Sequence, residues 1–219
     1  MSGDAAVVDA LRVVVRRLGT TDYATTWRAM QSFTDARDGD TADEIWLTEH
    51  RPIYTLGLAG RREHLLHDNG IDVVKVDRGG QITYHGPGQL VIYTLVDLRR
   101  LRMGVRDFVR SLESAVINWL DSHGVDAYGK PSAPGVYVLQ NGVEAKIAAL
   151  GLKVRRGCTY HGIAVNVAMD LSPFRDIDPC GYPGLAVTQL RDLGIDRSVG
   201  AVGVDLARTI EWQIRRRSA

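Results

Sequence analysis

GVYVLQNGVEAKIAALGLKV (Gly135–Val154) is the stretch from which the fold can be read outward. Two strand-like runs, Gly135–Gln140 and Val143–Val154, flank Asn141-Gly142. Asn-Gly suits the positive φ that a two-residue hairpin turn demands, so the stretch predicts paired antiparallel strands. Counting by twos along the second strand puts Lys146 on one face with Glu144, Ala148 and Leu150. On an open sheet face such a lysine is a solvated charge. Turned into a cleft, it would lower the pKa of a nearby thiol and itself lose its proton more readily.

Downstream, Thr159–Ala168 reads as a strand, and Val187–Leu193 and Val202–Arg216 as helices. Upstream, Val105–His123 is the clearest helix: Phe108, Leu112, Ala115, Val116 and Trp119 make one apolar face and Gly124 stops it. Thr20–Arg37 repeats the pattern with Tyr23, Trp27, Met30 and Phe33. Leu11–Arg17 (ending at Gly19), Glu44–Thr48, Pro52–Leu56, Ile71–Val76 and Gln89–Leu98 read as strands, and Arg61–Leu66 as a short polar helix. Strands outnumber helices and short turns join them. That predicts an α+β fold, a largely antiparallel or mixed β-sheet flanked by helices. The chain reads as a single domain over 1–219, with 1–10 as a loose leader and, near Gly184, room for a small C-terminal subdomain.

Composition excludes several classes. The chain has 219 residues, 45% hydrophobic and 24% charged, which is long enough to fold on its own core. A net charge of +1 gives no bulk attraction for nucleic acid, and Arg215-Arg216-Arg217 suits a helix C-terminus. Two cysteines, Cys158 and Cys180, lack CxxC or zinc spacing and fit a reducing compartment. No signal-peptide pattern or membrane-length apolar run occurs, so a cytoplasmic protein without a membrane partner is expected.

Chemistry concentrates in three places. RGGQITYHGPGQL (Arg78–Leu90) mixes glycines, which let a ligand approach backbone N–H groups, with Arg, Gln and His donors. Its Thr83-Tyr84-His85-Gly86 recurs as Thr159-Tyr160-His161-Gly162, so two strands could present Tyr-His-Gly corners to one cleft, unless the recurrence is chance. Cys180 lies between turn residues in Asp178-Pro179-Cys180-Gly181 and is placed on a loop, whereas Cys158 heads a strand and reads as structural.

These blocks, with GVYV (Gly135–Val138), AKIAALGLKV (Ala145–Val154), TYHGIAVNV (Thr159–Val167) and DLSPFRDIDPCG (Asp170–Gly181), resemble the lipoyl(octanoyl) transferase family from about Leu11 to Leu193. The resemblance implies the fold of biotin and lipoate protein ligases. It implies octanoyl transfer from acyl carrier protein to a lysine of lipoate-dependent enzymes, namely lipoyl domains of 2-oxoacid dehydrogenase complexes and the glycine cleavage H protein. The acyl group arrives on phosphopantetheine, and no ATP, metal or other cofactor is implied. The family's thioester cysteine falls on Cys180 and its partner lysine on Lys146. Its substrate-binding residues fall on Arg78, Gly79, Gly80, Gln81, Ile82, Thr83, Tyr84 and His85, on Ala149, Leu150 and Gly151, and on Gly162, Ile163 and Ala164. His161 is a supporting candidate. Two departures stand out: Tyr137 where tryptophan is usual, and Thr188-Gln189 where Thr-Ser is common.

Three rivals remain on the sequence. An ATP-dependent ligase on the same fold needs no cysteine nucleophile here and would not explain the Cys180–Lys146 pair. A cysteine hydrolase would pair Cys180 with His161 or His85 and admit water. A non-catalytic carrier-binding module would have no use for the pair.

Overall fold

The Asn141-Gly142 pair turns the chain with positive φ at both residues, 52° and 77°, the geometry of a tight hairpin. The structure, a computed structural model, describes residues 13–218; the expected leader lies outside them. In chain order the elements are β1 (Val13–Thr21), α1 (Tyr23–Ala36), β2 (Asp43–His50), β3 (Ile53–Leu56), β4 (Val73–Lys75), β5 (Ile82–His85), β6 (Gln89–Leu95), α2 (Val105–Asp121), β7 (Ala127–Gly129), β8 (Gly135–Gln140), β9 (Val143–Arg155), β10 (Cys158–Asn166), β11 (Ala186–Val187) and α3 (Val199–Ser218).

The main sheet runs β1-β2-β6-β10-β9-β8-β7, with β11 added beside β9; a second sheet runs β4-β3-β5. Pairing is antiparallel except for β1 with β2, β3 with β4, and β11 with β9, so both sheets are mixed. On one face α2 and α3 bury Leu112, Val116, Leu206 and Ile210 against Ile45, Ile92, Val138 and Val165. On the other, α1 sets Met30 against Trp46, Val91 and Tyr160, and the small sheet packs Tyr54 and Tyr84 on Phe174. The cleft lies between that small sheet and the main one.

Four sequence expectations are corrected. β1 does not end at Gly19: its pairing with β2 shifts between Arg17 and Gly19, and Gly19 absorbs the bulge at φ 67°. Arg61–Leu66 narrows to one 3₁₀ turn, Arg62–His64. Val187–Leu193 is no helix, because Ala186–Val187 pairs with β9, the Thr188 N–H donates to Lys146 O at 3.0 Å, and only Leu190–Leu193 forms a 3₁₀ turn. Nor does the region after Gly184 stand apart, since α3 shares the main core through Val202, Leu206, Ala207, Ile210 and Ile214.

Candidate active site

A bulge in β9 builds the site. Val136 pairs with Ala148 but Tyr137 pairs with Lys146, leaving Ile147 as the extra residue. Ala145, Ile147 and Ala148 all face the helix-covered core, while Lys146 points to the opposite side, over the Tyr137 ring at 5.0 Å. The face predicted by counting in twos is therefore wrong beyond Lys146: its companions are not Ala148 and Leu150. One inserted residue reverses the parity. Lys146 is buried, 3% exposed, and its Nζ donates to Pro134 O at 3.1 Å.

Cys180 lies in a 3₁₀ turn, Pro179–Gly181, packed beside β5. The Asp178 N–H donates to His64 O at 2.9 Å, and the Gly181 N–H closes on Asp178 O at 2.9 Å. Gly181 takes φ 74° so close to Gln81 that a Cβ would lie 3.1 Å from its Cγ. Lys146 and Pro179, with Thr83, Ala149, Asn166, Phe174 and Val187, surround a cavity of about 10 Å³, about the space of one water. The turn carrying Cys180 and the Lys146 side chain thus meet at one point.

A second cavity, about 50 Å³, is lined by Arg78, Gly80, Gln81, Ile82, Thr83 and His85, by Ala149, Leu150 and Gly151, and by Gly162, Ile163 and Ala164. β9 and β10 oppose these residues pairwise, Ala149 to Ala164 and Gly151 to Gly162, giving a floor of small residues. Gly79 and Tyr84 stand outside this lining. The Gly79 N–H stitches the loop to Leu152 O at 2.9 Å, and Tyr84, one residue out of phase with His85, packs on Tyr54 and Phe174 instead.

Tyr23, Val91, Tyr93 and His161 complete the lining. The sequence places Tyr23 on the apolar face of a helix and Tyr93 within the strand Gln89–Leu98, and by itself assigns neither to the site. Tyr23 stacks on His85 at 5.7 Å, and His50 Nε2 meets the Tyr93 hydroxyl at 2.6 Å. Burial pushes His85 down to about 3 and His50 to about 4, so both are neutral near pH 7. His161 is also lowered by burial, against the pull of Asp77, which its Nε2 reaches at 3.0 Å. Arg78 lines the same cavity as Tyr23, His85 and His161 and donates from Nη2 to Thr55 O at 2.7 Å. Gln189 caps the Met169 N–H at 2.6 Å, and the Tyr137 hydroxyl donates to Ala133 O at 2.8 Å, so both departures are built into the structure. Among the described residues no His, Cys, Asp or Glu group could hold a metal ion, and no helix is long and apolar enough to cross a membrane.

The architecture is that of the lipoate and biotin ligases. A lipoate protein ligase of Thermoplasma acidophilum superposes with a TM-score of 0.70 at 18% identity, covering 94% of this chain and 91% of that one. Apo biotin protein ligase of Aquifex aeolicus gives a TM-score of 0.52 at 10% identity, covering 95% and 71%. Such likeness defines the fold alone. The model of the lipoyl protein ligase A/B catalytic domain matches residues 22–210, and the chain belongs to that family. The octanoyltransferase of Thiobacillus denitrificans is 58% identical over 205 residues, covering 91% of this chain and 92% of the relative. That of Azoarcus sp. is 59% identical over 202 residues, covering 92% and 87%. Within its family the chain is an acyltransferase.

Proposed function

We propose that the protein transfers an octanoyl group from acyl carrier protein to a lysine of a lipoyl domain or of the glycine cleavage H protein. It acts in the cytoplasm as a single domain over 1–219, in lipoate biosynthesis. The observation that carries the reading is the convergence at one cavity of Lys146, the Pro179–Gly181 turn, and Thr83 and Ala149 from the small-residue channel. The octanoyltransferase relatives support it.

The chemistry follows from a thiol and an amine. Cys180 as thiolate attacks the carbonyl of the carrier thioester, and the Lys146 ammonium gives its proton to the departing phosphopantetheine thiol. The acyl group then rests on Cys180. The acceptor amine attacks that thioester, its proton passes to the neutral Lys146, and Cys180 leaves as thiolate. Thioester exchange is nearly neutral and amide formation downhill, so no ATP, metal or other cofactor is needed. The substrate-binding residues are those of the channel, with Gly79 and Tyr84 supporting its walls. The 50 Å³ channel is smaller than the roughly 150 Å³ cavity that holds benzene, so side chains around it move aside as the chain enters.

Intact-mass measurement after incubation with octanoyl-acyl carrier protein tests the reading. One octanoyl group, released by hydroxylamine, is expected on the wild type and on Cys158→Ala, and none on Cys180→Ala. Cys158 is buried, and desolvation raises its thiol. Acyl label retained by Cys180→Ala would move the nucleophile elsewhere.

A further inference from the structure

One peptide group, Pro134–Gly135, is gripped from both ends. On the α2 side Glu113, 7% exposed, accepts a hydrogen bond from the Gly135 N–H at 2.7 Å. On the cleft side the Lys146 ammonium donates to the Pro134 carbonyl at 3.1 Å. That N–H and that C=O belong to the same planar amide, so a carboxylate and an ammonium are joined end to end through its polarisable bond system. Glycine is required at the joint. Gly135 has φ 142°, and a Cβ there would lie 2.6 Å from Lys146 Cε and 3.1 Å from its Nζ.

We infer that Glu113 is a positioning residue for Lys146, holding it through the Pro134–Gly135 amide and supplying the countercharge that keeps it an ammonium until it yields its proton. The inference rests on the role proposed above for Lys146. A buried lysine otherwise tends to shed its charge. Burial raises the carboxyl of Glu113, and the Gly135 N–H, Lys146 and Arg110 each pull it back. Two further charged side chains lie nearby. Lys130 lies over the same Tyr137 ring at 4.8 Å, but it is held by Glu144 at 2.5 Å. Glu144 also accepts from the Tyr128 hydroxyl at 2.7 Å. The turn bearing Cys180 closes the cavity.

Glu113→Gln separates charge from geometry, because the amide oxygen still accepts from Gly135. Its thermal midpoint should stay near that of wild type. The basic limb of kcat/KM for octanoyl transfer, where the ammonium is lost, should move to lower pH by roughly half a unit. At neutral pH kcat should fall about tenfold with KM little changed. A profile superimposed on wild type, with kcat intact, overturns the inference. Lys146→Ala run alongside separates the failures: near-normal transfer there defeats the reading of Lys146 itself, whereas inactivity there with an unmoved Glu113→Gln limb defeats only the role of Glu113. Should Glu113→Gln not fold, Glu113→Asp takes its place. It keeps the charge but loosens the grip, so kcat drops while the limb holds, and a limb displaced to lower pH would count against the proposal.

Discussion

Thr83-Tyr84-His85-Gly86 and Thr159-Tyr160-His161-Gly162 are the same four residues in two different physical settings. Both deliver a histidine to one cavity. His85 ends β5, stacks on Tyr23, and has its Nδ1 2.7 Å from Gln89 Oε1 and its Nε2 3.4 Å from Thr55 Oγ1. His161 is forced to φ 60° and bonds Asp77 through Nε2, while its buried Nδ1 has no hydrogen-bond partner among the described residues. Tyr84 turns away into an apolar cluster, whereas Tyr160 donates to Asp77. Identical local sequence supplies identical groups; the strand register and distant partners decide what each group does. One copy is a neutral packed wall, the other the arm of an ionic hub that also binds Trp27 Nε1 at 2.9 Å.

The largest expected effect breaks the second copy. A Cβ on Gly162 would lie 1.9 Å from Ile92 O, a backbone atom within the β10–β6 ladder. Neither strand can retreat without losing paired hydrogen bonds. Gly162→Ala should cost roughly 3 kcal/mol or more, at the upper end of overpacking costs. Urea denaturation checks this, and a loss under 1 kcal/mol would mean the sheet yields there.

Acid separates the two copies by the pH at which each fails. His85 falls from 6.5 to about 3 on folding, so unfolded chains bind protons first and its contribution is complete above 6.5. That contribution drains as pH falls toward 3, by up to about 1.4 kcal/mol per pH unit per histidine. Asp77 behaves as the depressed carboxylate of the other copy. Burial would raise it, but hydrogen bonds from His161 and Tyr160 outweigh that and hold it well below its ordinary 3.8. Its contribution is intact above 3.8 and is lost only as pH falls further. Stability measured against pH should therefore flatten in His85→Gln between about 6.5 and 4, by roughly 2 kcal/mol across the window. Asp77→Asn should abolish the loss below about 4 and, by removing the group that supports the His161 charge, steepen the profile just below 6.5. Coincident profiles for the two variants would show that the copies titrate as one unit.

Much of this site was legible and part of it was not, for identifiable reasons. The hairpin at Asn141-Gly142 and the apolar stripe of α2 are local patterns, and they fold as read. β5 is anticipated only as a strand delivering the Tyr84-His85 corner; its bounds are not legible because it is four residues long beside a Gly-rich run. The β9 bulge is invisible to counting in twos, yet it decides which residues beyond Lys146 share its face. Glu113 reads as a solvated helix residue until β8 presents the Gly135 N–H to it across 22 positions. Asp77 precedes the Gly-rich run as a plain loop carboxylate, and its partners come from α1 and β10. The pairing of Cys180 with Lys146 came from family resemblance, since neither composition nor periodicity links positions in separate elements.

The smallest effect sharpens the comparison at its last letter. A Cβ on Gly86 would lie 2.3 Å from the Tyr84 hydroxyl oxygen, 2.7 Å from Cζ and 3.0 Å from Cε1. Here the obstacle is the far end of a side chain two residues back, not a backbone carbonyl. Tyr84 is wedged between Tyr54 and Phe174, so it yields only in part. Gly86→Ala should cost about 1–2 kcal/mol, less than Gly162→Ala. Tyr84→Phe removes the closest atom, and among the described residues the phenol has no hydrogen-bond partner to lose, so alone it should be near neutral. Combined with Gly86→Ala it should return about half of the loss, roughly 0.5–1 kcal/mol, as a coupling energy in a double-mutant cycle. The matching cycle of Tyr160→Phe with Gly162→Ala should show no such rescue. There the clash is with Ile92 O, and deleting the Tyr160 hydroxyl also removes a donor from Asp77. Equal coupling in the two cycles would mean the copies share one mechanical environment after all, and the contrast drawn from their partners would fail.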